Sequence, residues 1–194
     1  MNTQQDTIET DDPAIQAQAS CIAPPGQYLT FILGGEAFAI GILHIKEIIE
    51  YGDITEVPMM PKFIRGVINL RGRVVPVVDL AARFGRGSTT IAKRTGIVIV
   101  ETSGSSDAEG DAKQQDIGII VDAVNEVVDI GSKDIEPAPA FGARIRPEFI
   151  NGMAKQNGHF IILLNVDSVL SVDEMAQVSK TMGKDYQQNS EQYE

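Results

Sequence analysis

Short runs of apolar residues separated by turn residues make up most of this chain, and they predict β-strands rather than long helices. The central stretch, Phe63–Phe84, contains two such runs, Val67–Leu70 and Val74–Leu80, joined by Arg71-Gly72-Arg73. Val and Ile favour the extended backbone of a strand, and Gly72 tolerates the positive φ that a tight reversal needs. The pattern therefore predicts a β-hairpin.

Two features of this hairpin indicate how it is placed. Both faces of Val74–Val78 are apolar, so we expect the strand to be covered on both sides. Pro76 has no backbone N–H to donate, which predicts a position at a sheet edge, at a bulge or at a seam between subdomains. A short helix is predicted next, over Asp79–Phe84, and the side chain of Asp79 is suited to cap it.

The central pattern returns 86 residues later. Phe149–Leu170 aligns with Phe63–Phe84 without a gap, and apolar positions match along both stretches. Two pairs of glycines stay in register, which are Gly66 with Gly152 and Gly72 with Gly158. A weaker match at a spacing of 79 relates Phe38–Ile40 to Ile117–Ile119 and Ile45–Glu50 to Val124–Asp129. Self-similarity of this kind usually marks a repeated structural unit, so we predict an internal duplication.

The other predicted elements are short and evenly spaced. The predicted strands are Tyr28–Leu33, Glu36–Ile40, Ile45–Glu50, Gly96–Glu101, Asp116–Val121 and Val124–Ile130. Short helices are predicted at Asp167–Leu170 and Asp173–Lys180, and the stretch 102–115, rich in Ser, Gly and Asp, is predicted to be a mobile insert. Such spacing favours two small barrels or sandwiches over a parallel α/β sheet.

Composition narrows the class of protein. The chain has 194 residues, of which 43% are hydrophobic, and it contains a single cysteine, Cys21. That length allows one domain or two small ones, and a lone cysteine fits a reducing compartment. No apolar run approaches the ~18 residues that a membrane span needs. Residues 1–26 lack periodicity and are predicted to form a disordered leader, whereas 177–194 are predicted to form a polar tail.

The formal net charge of −11 is unevenly placed. Residues 1–27 carry four acidic residues and no basic one, and residues 172–194 carry five acidic and two basic residues. The acidity is therefore mainly a property of the two ends of the chain. It argues against a nucleic-acid partner, because binding to phosphates needs a basic surface.

No arrangement of residues predicts catalysis. Nucleophilic catalysis needs a nucleophile beside a base, but Cys21 lies in the leader and His44 and His159 occupy positions that do not correspond. Zinc binding would need several Cys or His at close spacing. The carboxylates available for acid–base chemistry are better interpreted as caps or solvated edge residues; they are Glu47, Glu50, Asp79 and Asp122. We therefore expect a non-enzymatic binding protein with no cofactor and no metal.

A phosphate-binding loop is also poorly supported. Gly85-Arg86-Gly87-Ser88 lacks the spacing of a phosphate loop, and no helix is predicted after it. The nearby basic residues are interpreted as a solvated loop; they are Arg83, Arg86, Lys93 and Arg94.

The central stretch is more specific than a hairpin requires. Phe63–Gly72, continuing to Val75–Leu80, closely resembles the signature of the CheW family, the adaptors of bacterial chemotaxis arrays. The opening of that family resembles Tyr28–Phe31, Phe38–Ile40 and Ile45–Ile48, and its second half resembles Asp116–Val128, the connector Ile135–Pro139 and Phe149–Leu170. The resemblance covers about residues 27–176. It implies an all-β fold of two SH3-like five-stranded β-barrel subdomains, pseudo-duplicated, with short helices, a C-terminal helix and a shared apolar interior.

The resemblance also implies a function. A member of this family is a cytoplasmic coupling protein that links the histidine kinase CheA, through its regulatory domain, to the cytoplasmic tip of chemoreceptors. Family positions that match Ile45, Glu47 and Arg71 belong to the coupling surface, and Asn69 and Gly72 of the same hairpin are included in the predicted site. Lys46 stands where the family commonly has a polar neutral residue.

Two alternatives remain at this stage. A CheV-like adaptor, or another scaffold with the same module, would serve a different chemosensory pathway, but a CheV-like chain needs about a hundred residues after Asp173. A ligand-binding β-protein or an enzyme would assemble its site from scattered residues. Arg71 itself is a poorer residue than Asn157 for the first position of a two-residue turn. Turn chemistry alone would leave it an exposed turn residue with no role, and it is the family resemblance that implies a functional arginine here.

Overall fold

A computed structural model describes residues 23–106, 112–138 and 145–171, and places eleven strands there. The strands are β1 (Gly26–Leu33), β2 (Glu36–Gly41), β3 (Ile45–Glu50), β4 (Ile64–Leu70), β5 (Arg73–Asp79), β6 (Gly96–Ser106), β7 (Ala112–Val121), β8 (Ala123–Ile130), β9 (Ile135–Glu136), β10 (Ile150–Gln156) and β11 (His159–Leu164). Two short helices follow the hairpins, α1 (Leu80–Arg83) and α2 (Val166–Val169), and single 3-10 turns lie at Ile42–His44, Ser132–Asp134 and Pro147–Phe149. The all-β class is confirmed.

The strands form two sheets that exchange segments of the chain. Sheet 1 has the order β8-β1-β2-β11-β10-β9, and sheet 2 has the order β3-β6-β7-β5-β4. The chain passes from sheet 1 to sheet 2 between β2 and β3, and it returns between β7 and β8. Sheet 1 is therefore built from both ends of the described chain, and sheet 2 is built from its middle.

Strand registers confirm the duplication. In sheet 1, Ala39 pairs in parallel with Leu163, and in sheet 2 Gly118 pairs in parallel with Val77. Gly118 is the counterpart of Ala39 at the spacing of 79, and Leu163 is the counterpart of Val77 at the spacing of 86. The two parallel pairs therefore join equivalent residues of the two copies. Both hairpins also have a register shift at the same place, just before Gly66 and just before Gly152. The two sheets are thus two copies of one unit.

The prediction of two five-stranded barrels needs correction in two respects. Sheet 1 has a sixth strand, β9, which pairs with β10 at Met153 and Ala154. Its counterpart in sheet 2 is shortened to a single bridge between Thr55 and Val67. In the described residues each sheet is also an open series of strands rather than a closed barrel, because the two edge strands share no backbone ladder. SH3-like subdomains remain consistent with these open sheets.

One hydrophobic core lies between the two sheets. It contains a row of phenylalanine rings, in which Phe31, Phe38, Phe84 and Phe149 follow one another at centroid distances of 6.1, 5.9 and 6.1 Å. Three of the four are almost completely inaccessible to solvent, and Phe84 is 8% exposed. Because β1, β2, the residue after α1 and the turn before β10 all contribute rings, burial of this row holds the two copies together.

Arg83 joins equivalent residues of the two copies. Its guanidinium carbon lies 4.8 Å from the centroid of the Phe63 ring and 5.0 Å from that of the Phe149 ring. Its Nε also donates a hydrogen bond of 3.2 Å to the backbone oxygen of Val169. Phe149 is the counterpart of Phe63, and Val169 is the counterpart of Arg83. The arginine therefore lies where the two copies meet, and its cation faces one ring from each copy.

Several expectations about single elements are settled by the structure. Asp79 and Asn165, which correspond in the two copies, accept hydrogen bonds from the backbone N–H of Ala82 and Ser168 and so cap the two short helices. Pro76 lies just before Val77, where pairing with β7 begins, so that part of β5 is paired on one side only. The expectation that Val74 is covered was wrong, because this side chain is 73% exposed.

Two loop predictions also need correction. Within the predicted insert, Thr102 and Ser103 continue β6 and pair with Gln115 and Gln114 of β7. A backbone ladder can continue through polar residues because its hydrogen bonds do not depend on the side chain. In the predicted leader, the backbone N–H of Ala23 donates to the oxygen of Asn151 at 2.9 Å, so residues 23–26 belong to the folded body. Residues 1–22, 107–111 and the predicted helix Asp173–Lys180 lie outside the described residues.

Candidate functional site

The predicted site is centred on the turn between β4 and β5. Arg71 and Gly72 have φ angles of 51° and 85°, and the counterparts Asn157 and Gly158 have 50° and 80°. Both residues of a two-residue hairpin of this kind need positive φ, so the predicted turn is confirmed. The N–H of Gly72 also donates to Oδ1 of Asn69 at 2.8 Å, which fixes the turn from within.

Arg71 reaches from this turn to the opposite edge of sheet 2. Its Nη2 donates to Oε2 of Glu47 on β3 at 2.8 Å. The Arg71 side chain is nevertheless 81% exposed, whereas that of Glu47 is 25% exposed. Ile45 lies two residues before Glu47 on β3 and is half-buried against the core. The structure therefore brings Glu47, Asn69, Arg71 and Gly72 together, with Ile45 beside them on β3.

Four further charged side chains, which no sequence pattern had indicated as site residues, lie in a row across sheet 2. Lys46 Nζ is 2.5 Å from Glu101 Oε1 and 2.6 Å from Asp116 Oδ1. Arg73 Nη2 is 2.6 Å from Asp116 Oδ2, in an ion pair whose N–H is not aligned for a hydrogen bond. The hydrogen bonds to Asp116 and then to Glu101 raise the pKa of Lys46 above its ordinary value. Lys46 is thus charged at neutral pH.

The four charged residues of this row could have been identified by comparing the two copies, because their counterparts in sheet 1 do not form such a set of charges. The counterparts of Lys46, Arg73, Glu101 and Asp116 in sheet 1 are Asn125, His159, Ile32 and Ala37. A set of opposite charges that occurs in only one of two duplicated units indicates a local role for that unit. Sequence alone did not place these four residues side by side, because β3, β5, β6 and β7 are far apart along the chain.

The other candidates of the sequence analysis have structural roles or lie apart. Asp79 caps α1, and Asp122 accepts a hydrogen bond of 2.7 Å from the N–H of Gly34. His44 and His159 are exposed and lie apart along the fold, His44 in the 3-10 turn between β2 and β3 and His159 at the start of β11. Among the described residues, no group of three or more His, Cys, Asp and Glu is arranged to hold a metal ion. No helix in the described part of the chain is long and apolar enough to cross a membrane.

Two clefts of the described surface are small. One has a volume of about 160 Å³ and is lined mainly by Pro24–Tyr28 and Gly41–His44. The other, of about 230 Å³, lies between Asp129, Asp134 and Gln156. Sites for drug-sized ligands usually have volumes of ~300–1,000 Å³. Neither cleft therefore supports the alternative of a ligand-binding β-protein.

These features define an all-β protein made of two duplicated sheets. Sheet 2 carries a charged hairpin surface, which is formed by Glu47, Asn69, Arg71 and Gly72. A family model described as the CheW-like domain matches residues 27–174, so the chain belongs to the CheW-like domain family, whose members include chemotaxis scaffolding proteins. The match includes both copies of the duplicated unit and the whole charged surface.

Relatives and a solved structure agree with this assignment. Chemotaxis protein CheW of Klebsiella aerogenes is 35% identical over 152 residues, which cover 78% of this chain and 86% of that protein. Chemotaxis protein CheW of Thermotoga maritima is 32% identical over 147 residues, covering 74% and 87% of the two chains. The crystal structure of scaffolding protein TtCheW from Thermoanaerobacter tengcongensis has a TM-score of 0.66 at 36% identity, covering 77% of this chain and 90% of that one.

Proposed function

We propose that this chain is a non-enzymatic adaptor that couples chemoreceptors to the histidine kinase CheA in signalling arrays. The observation that carries the proposal is the CheW-like domain match along residues 27–174, which spans nearly all of the described body. In this role the protein works in the cytoplasm and is held near the membrane only through the receptors. It acts by occupying a site, not by turnover.

The charged hairpin surface is the proposed coupling site. Glu47 holds one guanidinium nitrogen of Arg71, and most of the arginine side chain is exposed to solvent. A guanidinium presented in this way can form a bidentate pair with a carboxylate of a partner or donate to its backbone oxygens. Ile45 supplies apolar contact beside it. Charges at the rim of an interface mainly set orientation and association rate, whereas apolar contacts supply more of the affinity.

Direct binding tests this proposal. Purified chain should be retained by the immobilised regulatory domain of CheA, and separately by a receptor fragment that contains the cytoplasmic tip. A matched control is the same assay with the CheA phosphotransfer domain, to which we expect no binding. A wild-type chain that binds neither the regulatory domain nor the receptor fragment would contradict the proposal.

The first specific prediction concerns Arg71→Asn. We expect the melting temperature to stay unchanged or to rise slightly, because Asn is favoured at this turn position and an exposed ion pair contributes only ~0–1 kcal/mol. Affinity for the receptor fragment should fall by about tenfold, which corresponds to about 1.4 kcal/mol. Titration calorimetry measures the affinity, and thermal unfolding measures the stability.

Asn157→Arg is the control for Arg71→Asn. It places the same side chain at the equivalent turn of sheet 1, where the backbone has nearly the same φ. This variant should be slightly less stable and should bind the receptor fragment as the wild type does. Equal loss of binding in both variants, or a large fall in the melting temperature of Arg71→Asn, would contradict the assigned role of Arg71.

A further inference from the structure

The row of four charges crosses four neighbouring strands of sheet 2. From one edge inward the strands are β3, β6, β7 and β5, and they carry Lys46, Glu101, Asp116 and Arg73 in that order. Glu101 and Asp116 are directly opposite each other in the ladder between β6 and β7. Two carboxylates in such a position repel each other, so the cations on either side are needed to stabilise the pair.

Asp116 makes this requirement strict. Its side chain is only 7% exposed, and it forms ion pairs with both Lys46 and Arg73. A buried charge is stable only when it is paired, and loss of its partners costs far more than loss of an exposed ion pair. Lys46 Nζ approaches one carboxylate oxygen and Arg73 Nη2 approaches the other, each at 2.6 Å. Asp116 therefore ties a residue of β3 to the first residue of β5.

The connection between this row and the coupling surface is short. Arg73 is separated from Arg71 by Gly72 alone, and Lys46 is the residue immediately before Glu47. Each member of the Arg71–Glu47 pair thus has a neighbour along the chain that is held by Asp116. An arginine at a glycine-containing turn would otherwise have many orientations relative to β3, and ordering it on binding would cost affinity.

We propose that Lys46 and Arg73, acting through Asp116, are positioning residues that hold the tip of the β4–β5 hairpin against β3, so that Arg71 and Glu47 form one preorganised surface for the partner. The inference rests on the coupling function proposed above and adds residues that need not touch the partner. Sheet 1 has Asn125, His159, Ile32 and Ala37 at the equivalent positions and thus neither carboxylate, so this arrangement belongs to the copy that carries the proposed site.

The test uses a triple variant in the full chain, Lys46→Gln/Arg73→Gln/Asp116→Asn. Removing the Asp116 carboxylate together with both cations avoids an unpaired charge at this buried position. Glu101 loses Lys46 but not its neighbouring like charge, and its side chain is 28% exposed to water, so the variant should fold with a melting temperature near that of the wild type. The matched control, Lys46→Arg/Arg73→Lys, retains all charges. Two quantities are measured: the ¹⁵N relaxation of Arg71 Nε in the protein alone, and the affinity for the receptor fragment with and without Arg71→Asn.

In the triple variant we expect the Arg71 Nε order parameter to fall and the affinity to drop by at least fivefold, while the charge-retaining control stays close to the wild type. We also expect Arg71→Asn to lose most of its tenfold effect on affinity in this background, because a mispositioned arginine contributes little. If Lys46, Arg73 and Asp116 had a purely structural role, Arg71→Asn would lower the affinity by the same factor in the triple variant as in the wild type. Unchanged Arg71 relaxation, or a full tenfold effect of Arg71→Asn in the triple variant, would overturn the inference.

The relaxation measurement separates this inference from the proposed function. If the wild-type chain binds neither the receptor fragment nor the CheA regulatory domain, the proposed function is contradicted. The positioning of Arg71 is then still decided by its Nε relaxation in the protein alone. Increased motion in the triple variant supports the positioning role, and unchanged motion overturns it.

Discussion

Replacing Gly66 with alanine should lower the free energy of unfolding by about 3 kcal/mol or more, because the change combines overpacking with backbone strain. A Cβ at this position would lie 2.2 Å from the backbone oxygen of Thr55 and 2.8 Å from Cγ2 of Ile54. The same oxygen accepts the N–H of Val67 at 2.8 Å, so it cannot move away without breaking the bridge that Thr55 makes with β4. The φ of Gly66, 143°, is also rarely adopted by residues with a side chain.

Thermal unfolding measures this effect, with Gly72→Ala as the comparison. A loss of about 3 kcal/mol in a chain of this size lowers the melting temperature by about 6–12 °C. Gly72 has a φ of 85°, but a Cβ there would meet nothing within 4 Å. Its replacement should cost only the conformational strain of about 1–2 kcal/mol. Equal losses at the two positions would show that the contact with Thr55 does not matter.

Asp79→Ala is expected to have the second large effect, a loss of about 3 kcal/mol. The Asp79 side chain is completely buried, and it accepts hydrogen bonds from the N–H of Thr89 at 2.8 Å, the hydroxyl of Thr89 at 2.8 Å and the N–H of Ala82 at 3.2 Å. Truncation leaves these donors without their acceptor, and each buried unsatisfied group costs about 1–3 kcal/mol. The loop after α1 should lose its attachment at the same time.

The duplicated helix supplies matched controls for Asp79→Ala. Within the described part of the chain, the side chain of Asn165 accepts only the capping bond from the N–H of Ser168 at 3.1 Å, so Asn165→Ala should cost about 1 kcal/mol. Asp79→Asn keeps an oxygen for the cap but presents an amide N–H₂ to the N–H of Thr89, and it should have an intermediate effect. Chemical denaturation of the three variants should therefore give the order Asp79→Ala, Asp79→Asn, Asn165→Ala from largest to smallest loss. A loss for Asp79→Ala no larger than that for Asn165→Ala would contradict this interpretation.

Local features of the fold could be predicted because local chemistry determines them. The pair Arg71-Gly72 predicted a reversal that has positive φ at both residues. Asp79 predicted a helix cap, and two repeat spacings predicted a duplication that the strand registers reproduce. Each of these depends on a few neighbouring residues or on similarity between two stretches, and both are visible in a single sequence.

The order of strands could not be predicted because distant segments determine it. The parallel pair of Ala39 with Leu163 joins residues that are far apart along the chain. Alternation of apolar and polar residues indicates that a strand exists, but it does not indicate its neighbours. The same limit applies to the site, where Arg71 and Glu47 were selected through the family resemblance. Lys46 and Asp116 were missed as a pair because β3 meets β7 only across β6.

The most direct measurement of the coupling function is receptor-controlled kinase activity. Receptors in vesicles and CheA are held at fixed concentrations, and the chain is titrated in. The proposed adaptor should raise attractant-sensitive kinase activity to a plateau, and Arg71→Asn should require a higher concentration to reach it. A kinase activity that does not respond to the chain, or nucleotide hydrolysis by the chain without CheA, would contradict an adaptor that acts by occupying a site.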